Sequence, residues 1–172
     1  MFGWFFGKSK KTKFEGHKKA IGISIVGDPD FDDYGPTEER VAERLRGNNI
    51  ISPEMKTAAI EIAPQYFRNG GSVSGCVKAI QSHGTPGTKD EIKELKRLLH
   101  LEKSRAGNLF SLRQMEDIGV THCRFSSSHD ERDTPLERKL DGKKMTIEQA
   151  RQMVLTRSDE IPRGWFRSEI KF

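Results

Sequence analysis

No apolar run in the chain approaches the roughly 18 to 20 residues that a membrane-spanning helix requires, so no segment reads as a span. The opening MFGWFFG has neither the length nor the small-residue cleavage site of a secretory leader, and we expect a chain made and kept in a cytosol. Cysteine is scarce, with Cys76 and Cys123 the two in 172 residues. They stand far apart without a CxxC partner, which excludes a disulfide framework and leaves reduced thiols or small apolar residues. No nucleophile elbow, HExxH or P-loop occurs. Internal repeats are absent, as are low-complexity tracts beyond the N-terminal residues. With 34% hydrophobic and 32% charged residues, the chain belongs to the soluble globular class and can bury one core or two small ones. A long solenoid or a large enzyme is excluded.

The formal charge of +5 is modest but unevenly spread. Residues 8–19, KSKKTKFEGHKK, set Lys8, Lys10, Lys11, Lys13, Lys18 and Lys19 against one glutamate. Phe2, Trp4, Phe5 and Phe6 precede them. Such an arm can neutralise the phosphates of nucleic acid, or lie on an anionic membrane with its aromatics in the surface. The plainer alternative is a solvated terminus. We therefore read residues 1–18 as a basic aromatic arm with weak affinity for polyanions.

Residues 19–85 read as one strand followed by helices. The strand is KAIGISIVG, Lys19–Gly27, rich in β-branched residues and closed by the acidic loop DPDFDDYGP. Asp28, Asp30, Asp32 and Asp33 lack the glycine and distal glutamate of a helix-loop-helix calcium site, so they read as a solvated loop. Next, TEERVAERLRG predicts a helix stopping at Gly47. Ser52 is placed to cap PEMKTAAIEIAPQYFR, with Pro53 in its first turn and Pro64 expected to kink or shorten its end. SVSGCVKAIQSHG predicts a short helix ending at Gly84.

SHGTPGT, Ser82–Thr88, reads as a linker into a second region over 88–172. Thr88-x-x-Glu91 forms a capping box for TKDEIKELKRLLHLEKSR, whose stripe is Ile92, Leu95, Leu98, Leu99 and Leu101. His100 lies beside that stripe as a surface residue. A separate helix is expected over NLFSLRQMEDIG, and VTHCRFS alternates like a strand. The expected fold is α+β, mostly helical with a few short strands.

The most specific stretch is SSHDERDTPLERKLDGKK, Ser127–Lys144. Thr134-Pro135-Leu136-Glu137 fits a capping box with proline at the first helical position, predicting a short helix over Pro135–Leu140. Asp141-Gly142 then makes a turn, and Thr146-x-x-Gln149 caps a further helix, IEQARQMVL.

The segment GVTHCRFSSSHDERDTPLERKLDGKKM joins Gly119-Val120, Arg124-Phe125-Ser126, Asp130-Glu131-Arg132, Pro135 and Leu140-Asp141-Gly142-Lys143 in one order. In that order it resembles the C-terminal module of the phage head-morphogenesis family, the Mu protein F-like minor capsid proteins. The likeness covers roughly residues 105–172 and none of the first half. It implies a minor head or portal-associated structural protein that assists head assembly and DNA packaging or ejection. Portal or capsid proteins would be its partners, with DNA as a further one, in the virion or the host cytoplasm; the oligomeric state stays open. Family members often carry cysteines or histidines around the proline and near the C-terminus, in a spacing suited to structural zinc. Here those first positions are Thr134 and Glu137, and the tail IPRGWFRSEIKF has neither residue type. The resemblance thus implies a version without metal or other cofactor, in which the capping box and a packed Trp165 or Phe166 supply local stability.

Two other classes compete with that reading. His122, His129, Asp130, Glu131, Arg132 and Asp133 could supply a base, an orienting carboxylate and a cation for a phosphodiester transition state, as in a small nuclease or phosphoryl-transfer toxin. Alternatively Asp130 and Arg132 tie down the loop before the Thr134 cap, and His129 is dispensable. The third class is a regulatory module that binds nucleic acid through the basic arm.

Overall fold

The computed structural model describes residues 35–169. The lysine-rich arm, the strand expected over 19–27 and the acidic residues Asp28–Asp33 lie outside the described residues. Within them the fold is α+β and mostly helical. Helices α1 (Glu38–Leu45), α2 (Pro53–Arg68), α3 (Val73–Ser82) and α4 (Lys89–Asp117) precede strand β1 (His122–Ser126). Then come α5 (Pro135–Leu140), β2 (Lys144–Thr146), α6 (Ile147–Arg157), a 3₁₀ turn at Ser158–Glu160 and β3 (Trp165–Ser168).

The first helices pack as their apolar spacing directs. Thr37 caps α1 by accepting from the Arg40 N–H, and Val41 and Leu45 turn inward one helical turn apart. Two expectations about α2 are corrected. Ser52 stands at its N-cap but makes no side-chain cap; its backbone N–H instead donates to the Glu91 carboxylate at 2.9 Å. Pro64 does not shorten the helix, which runs on to Arg68. Proline offers no N–H to the carbonyl one turn back, yet the buried face of Ala58, Ala59, Ala63 and Phe67 carries the helix through. α3 adds Cys76, Val77 and Ile80 to the same core.

α4 overturns the division into two helices, since Lys89–Asp117 is one helix of 29 residues with Gly107 inside it. A glycine there costs on the order of 1 kcal/mol relative to alanine, which is small against burial on both sides of it. Leu95, Leu98, Leu99 and Leu101 enter the core formed with α1–α3, while Leu109 and Leu112 enter a second core under the sheet. Between these apolar groups lies a buried polar belt of Glu102, Arg105 and Asn108. Glu102 accepts two bonds from Arg105, at 2.8 and 2.6 Å, and lies 3.5 Å from the Arg44 guanidinium of α1.

The sheet is antiparallel with order β2-β1-β3. β1 was legible as a strand; β2 and β3 were not expected, being three and four residues long. Cys123, Phe125, Met145 and Phe166 face the second core, closed by Ile147, Ala150, Val154 and Ile161. Phe166 is the packed aromatic of the tail, edge-on to Phe125 with centroids 5.4 Å apart, whereas Trp165 is 45% exposed. The period-two alternation of a strand puts these neighbours on opposite faces.

Candidate functional site

The stretch after β1 folds into a corner whose polar groups bind one another and the backbone. Thr134 Oγ1 accepts from the Glu137 N–H at 3.1 Å, and Glu137 Oε2 accepts from the Thr134 N–H at 2.8 Å, completing the capping box. The other Glu137 oxygen accepts from the Arg163 N–H at 2.7 Å. Fully buried, this carboxylate therefore joins the start of α5 to the loop before β3. Asp141 Oδ1 accepts from the Ser127 N–H at 2.9 Å. Gly142 takes φ +72°, a left-handed conformation suited to glycine, and donates its N–H to the Phe125 carbonyl. Lys143 contributes its backbone, accepting from the Phe125 N–H, while Leu140 is buried.

Asp130 is bound in bidentate fashion by Arg163, at 2.6 and 2.8 Å. It also accepts from the Arg132 N–H and guanidinium, at 2.9 and 2.8 Å. The Arg163 guanidinium, with Arg132 second, holds the Asp130 carboxyl well below the ordinary carboxylate range. Asp133 is buried and accepts from the His129 N–H at 2.9 Å, its other oxygen lying 4.0 Å from Arg163. Asp130 and Asp133 thus face the Arg163 guanidinium while Glu137 holds the backbone N–H of the same residue. The sequence reading took Asp130 and Arg132 as the tie; both take part, and Arg163 joins them with a side chain 24% exposed against 71% for Arg132. Arg163 escaped notice because it lies 33 residues from Asp130 in a segment without periodicity; the Pro-Arg-Gly step marks a turn but names no partner.

Of the candidate catalytic residues, the structure gathers His129, Asp130, Arg132 and Asp133 in this corner and places His122 at the start of β1. His122 opens β1, and His129 lies three residues past its end at Ser126, a strand whose rise covers about 13 Å. The His122 ring Nδ1 lies 3.0 Å from Thr121 Oγ1, and the residue lines a cleft of about 490 Å³ with Lys144 and Glu169. His129 has a side chain 67% exposed, 3.6 Å from Asp141. Its backbone is left-handed, φ 57°, a region histidine tolerates better than most residues. Glu131 is exposed. A larger cleft of about 810 Å³ opens between α4, the start of α3 and residues 162–165, and the corner lends it Ser128 and Arg163.

Nor do the residues fit a metal. Thr134 and Glu137 spend their oxygens on the cap, and among the described residues no group of three His, Cys, Asp or Glu side chains is placed to hold an ion. Cys76 and Cys123 are buried, and burial pushes their thiols up to about 12 and about 11. Neither is poised as a nucleophile.

The geometry ranks three alanine variants. Arg163→Ala should lower the melting temperature clearly more than Arg132→Ala, and His129→Ala should melt close to the parent. Thermal unfolding by circular dichroism checks the order, and an Arg132 variant weaker than the Arg163 variant would break it. Compared with protein-family models, with curated proteins and with solved structures, the chain matches none.

Proposed function

We propose that this chain is a structural protein of phage head assembly, a minor head or portal-associated component whose 88–172 region serves as a preformed docking module. The observation that carries this reading is the corner itself: the Asp130, Thr134, Glu137 and Asp141 side chains of the head-morphogenesis-like motif are all spent on holding the loop between β1 and α5. Groups committed to backbone and to Arg163 are suited to presenting a rigid surface and poorly suited to proton transfer, which needs a side chain aimed at a substrate site. Its partners would be portal or capsid proteins, in the virion or the host cytoplasm.

Co-expression with the portal and capsid proteins of the same genome, followed by pull-down and size-exclusion chromatography, tests the role. We expect co-migration of the parent chain, retained in His129→Ala and diminished in Arg163→Ala. A chain that elutes alone in every combination would remove the assembly reading. Assays on DNA and RNA run beside it: a folded His129→Ala or His122→Ala protein that loses a reproducible nuclease activity of the parent would replace it with the catalytic one.

A further inference from the structure

We propose that the solvent face of the β2-β1-β3 sheet binds single-stranded nucleic acid, with a row of cations on the phosphates and Trp165 stacking a base. Strand register builds the row. Arg124 pairs with Lys144 on one side and with Arg167 on the other, so three cations stand side by side across the sheet. At about 4.8 Å between strands, the row spans roughly 10 Å, which neighbouring phosphates of an extended strand can follow.

Folding alone does not call for this arrangement, because like charges directly opposite one another destabilise a sheet. One carboxylate offsets it in part: Glu169 lies 2.6 Å from Lys144 and also pairs with Arg124. Both cations hold its carboxyl down at about 2. Two positive charges remain in surplus on the row after Glu169 is counted; Arg167 makes no ion pair within 4 Å among the described residues, its electrostatic partner being the Asp141 carboxyl, which it helps to hold down. Arg124 and Lys144 side chains stay 41% and 45% exposed even while paired.

The aromatic component comes from the same strand. Trp165 precedes Arg167 by two residues, so it shares their face; it pairs with the buried Ser126 and itself stays 45% exposed. A cation track beside an exposed aromatic platform is the pairing by which proteins hold single strands without reading sequence: phosphates take the charge and a base covers the ring. An acidic peptide would satisfy the charges but has no planar group to stack, which is why the tryptophan decides the class. The site is separate from the lysines of residues 8–19 and independent of the assembly role.

Titration of the full chain with fluorescein-labelled oligo-dT and oligo-U of about 15 nucleotides, at low and physiological salt, tests the proposal. The two oligomers distinguish DNA from RNA. A Trp4→Phe background leaves Trp165 as the sole tryptophan, and its emission should be quenched as either oligomer saturates. Trp165→Ala should weaken binding about tenfold or more, within the usual range for one lost stack. Arg167→Ala should flatten the log–log salt dependence by about 0.7 per phosphate contact released. A full chain with Lys8, Lys10, Lys11 and Lys13 changed to Gln should keep the Trp165 quench. Unchanged Trp165 emission, binding of folded Trp165→Ala and Arg167→Ala proteins equal to the parent, or no binding at low salt would each overturn the sheet site. None of those outcomes bears on co-migration with portal or capsid proteins, so the two readings fail separately.

Discussion

Glu102→Ala should destabilise the protein by about 3 to 5 kcal/mol, the range seen when one partner of a buried ion pair is removed. The carboxylate is fully buried and takes two short hydrogen bonds from Arg105, itself only 6% exposed. Arg44 and Arg40 stand 3.5 and 3.7 Å away. Removing the acid therefore strands a buried guanidinium and leaves two further arginines facing it without their shared anion. In a chain of this length each kcal/mol shifts the melting point by about 2 to 4 °C, so a fall of the order of 10 °C is expected. Replacing Glu102 and Arg105 together by leucine should recover part of the loss, because neither charge is then left alone. A Glu102→Ala protein melting with the parent would show that the belt contributes nothing to the fold.

The second large effect is expected at Gly164. A Cβ built there would lie 1.9 Å from Phe125 Cζ and 2.5 Å from Cε2, far inside contact distance. Phe125 cannot retreat easily: it is fully buried and locked edge-on to Phe166. Gly164 is also held in place, its carbonyl accepting from the buried Asn108 amide at 3.0 Å. Gly164→Ala should consequently cost about 1 to 3 kcal/mol by overpacking, read as a lowered denaturant midpoint. Shrinking the ring in the same molecule, Gly164→Ala with Phe125→Leu, should be less damaging than the two separate losses added, because the residues share one space. Strict additivity would place the clash elsewhere.

These two positions mark what the sequence conceals. Thr88, Thr134 and Thr146 are legible as helix starts because each acts on a backbone N–H three residues away, a spacing visible in the string of letters. Gly142 is legible for the same reason, its turn closing within the Leu140–Lys143 step. The Asp130–Arg163 pair, the Glu137–Arg163 bond and the Gly164–Phe125 contact span 26 to 39 residues, and nothing local announces them. Ser52 makes no side-chain cap, and its N–H goes instead to Glu91, 39 residues on, a partner that no local spacing announces. The unbroken α4 is hidden similarly: Gly107 looks like punctuation until cores on both sides of it outweigh its poor helical preference.

That shared helix has a consequence for how the chain can change length. Each residue of an α-helix turns the following part by about 100° and advances it by 1.5 Å. α4 carries the first core's leucines on its N-terminal stretch and the second core's Leu109 and Leu112 further on, with Glu102, Arg105 and Asn108 locked to different neighbours in between. The two halves are therefore geared. Deleting one residue between Leu101 and Leu109 would swing the sheet round the axis by about a quarter turn relative to the first core, whereas removing seven would return nearly the same angular phase, about 20° out. Related chains that keep both cores should differ across this stretch by whole heptads or not at all.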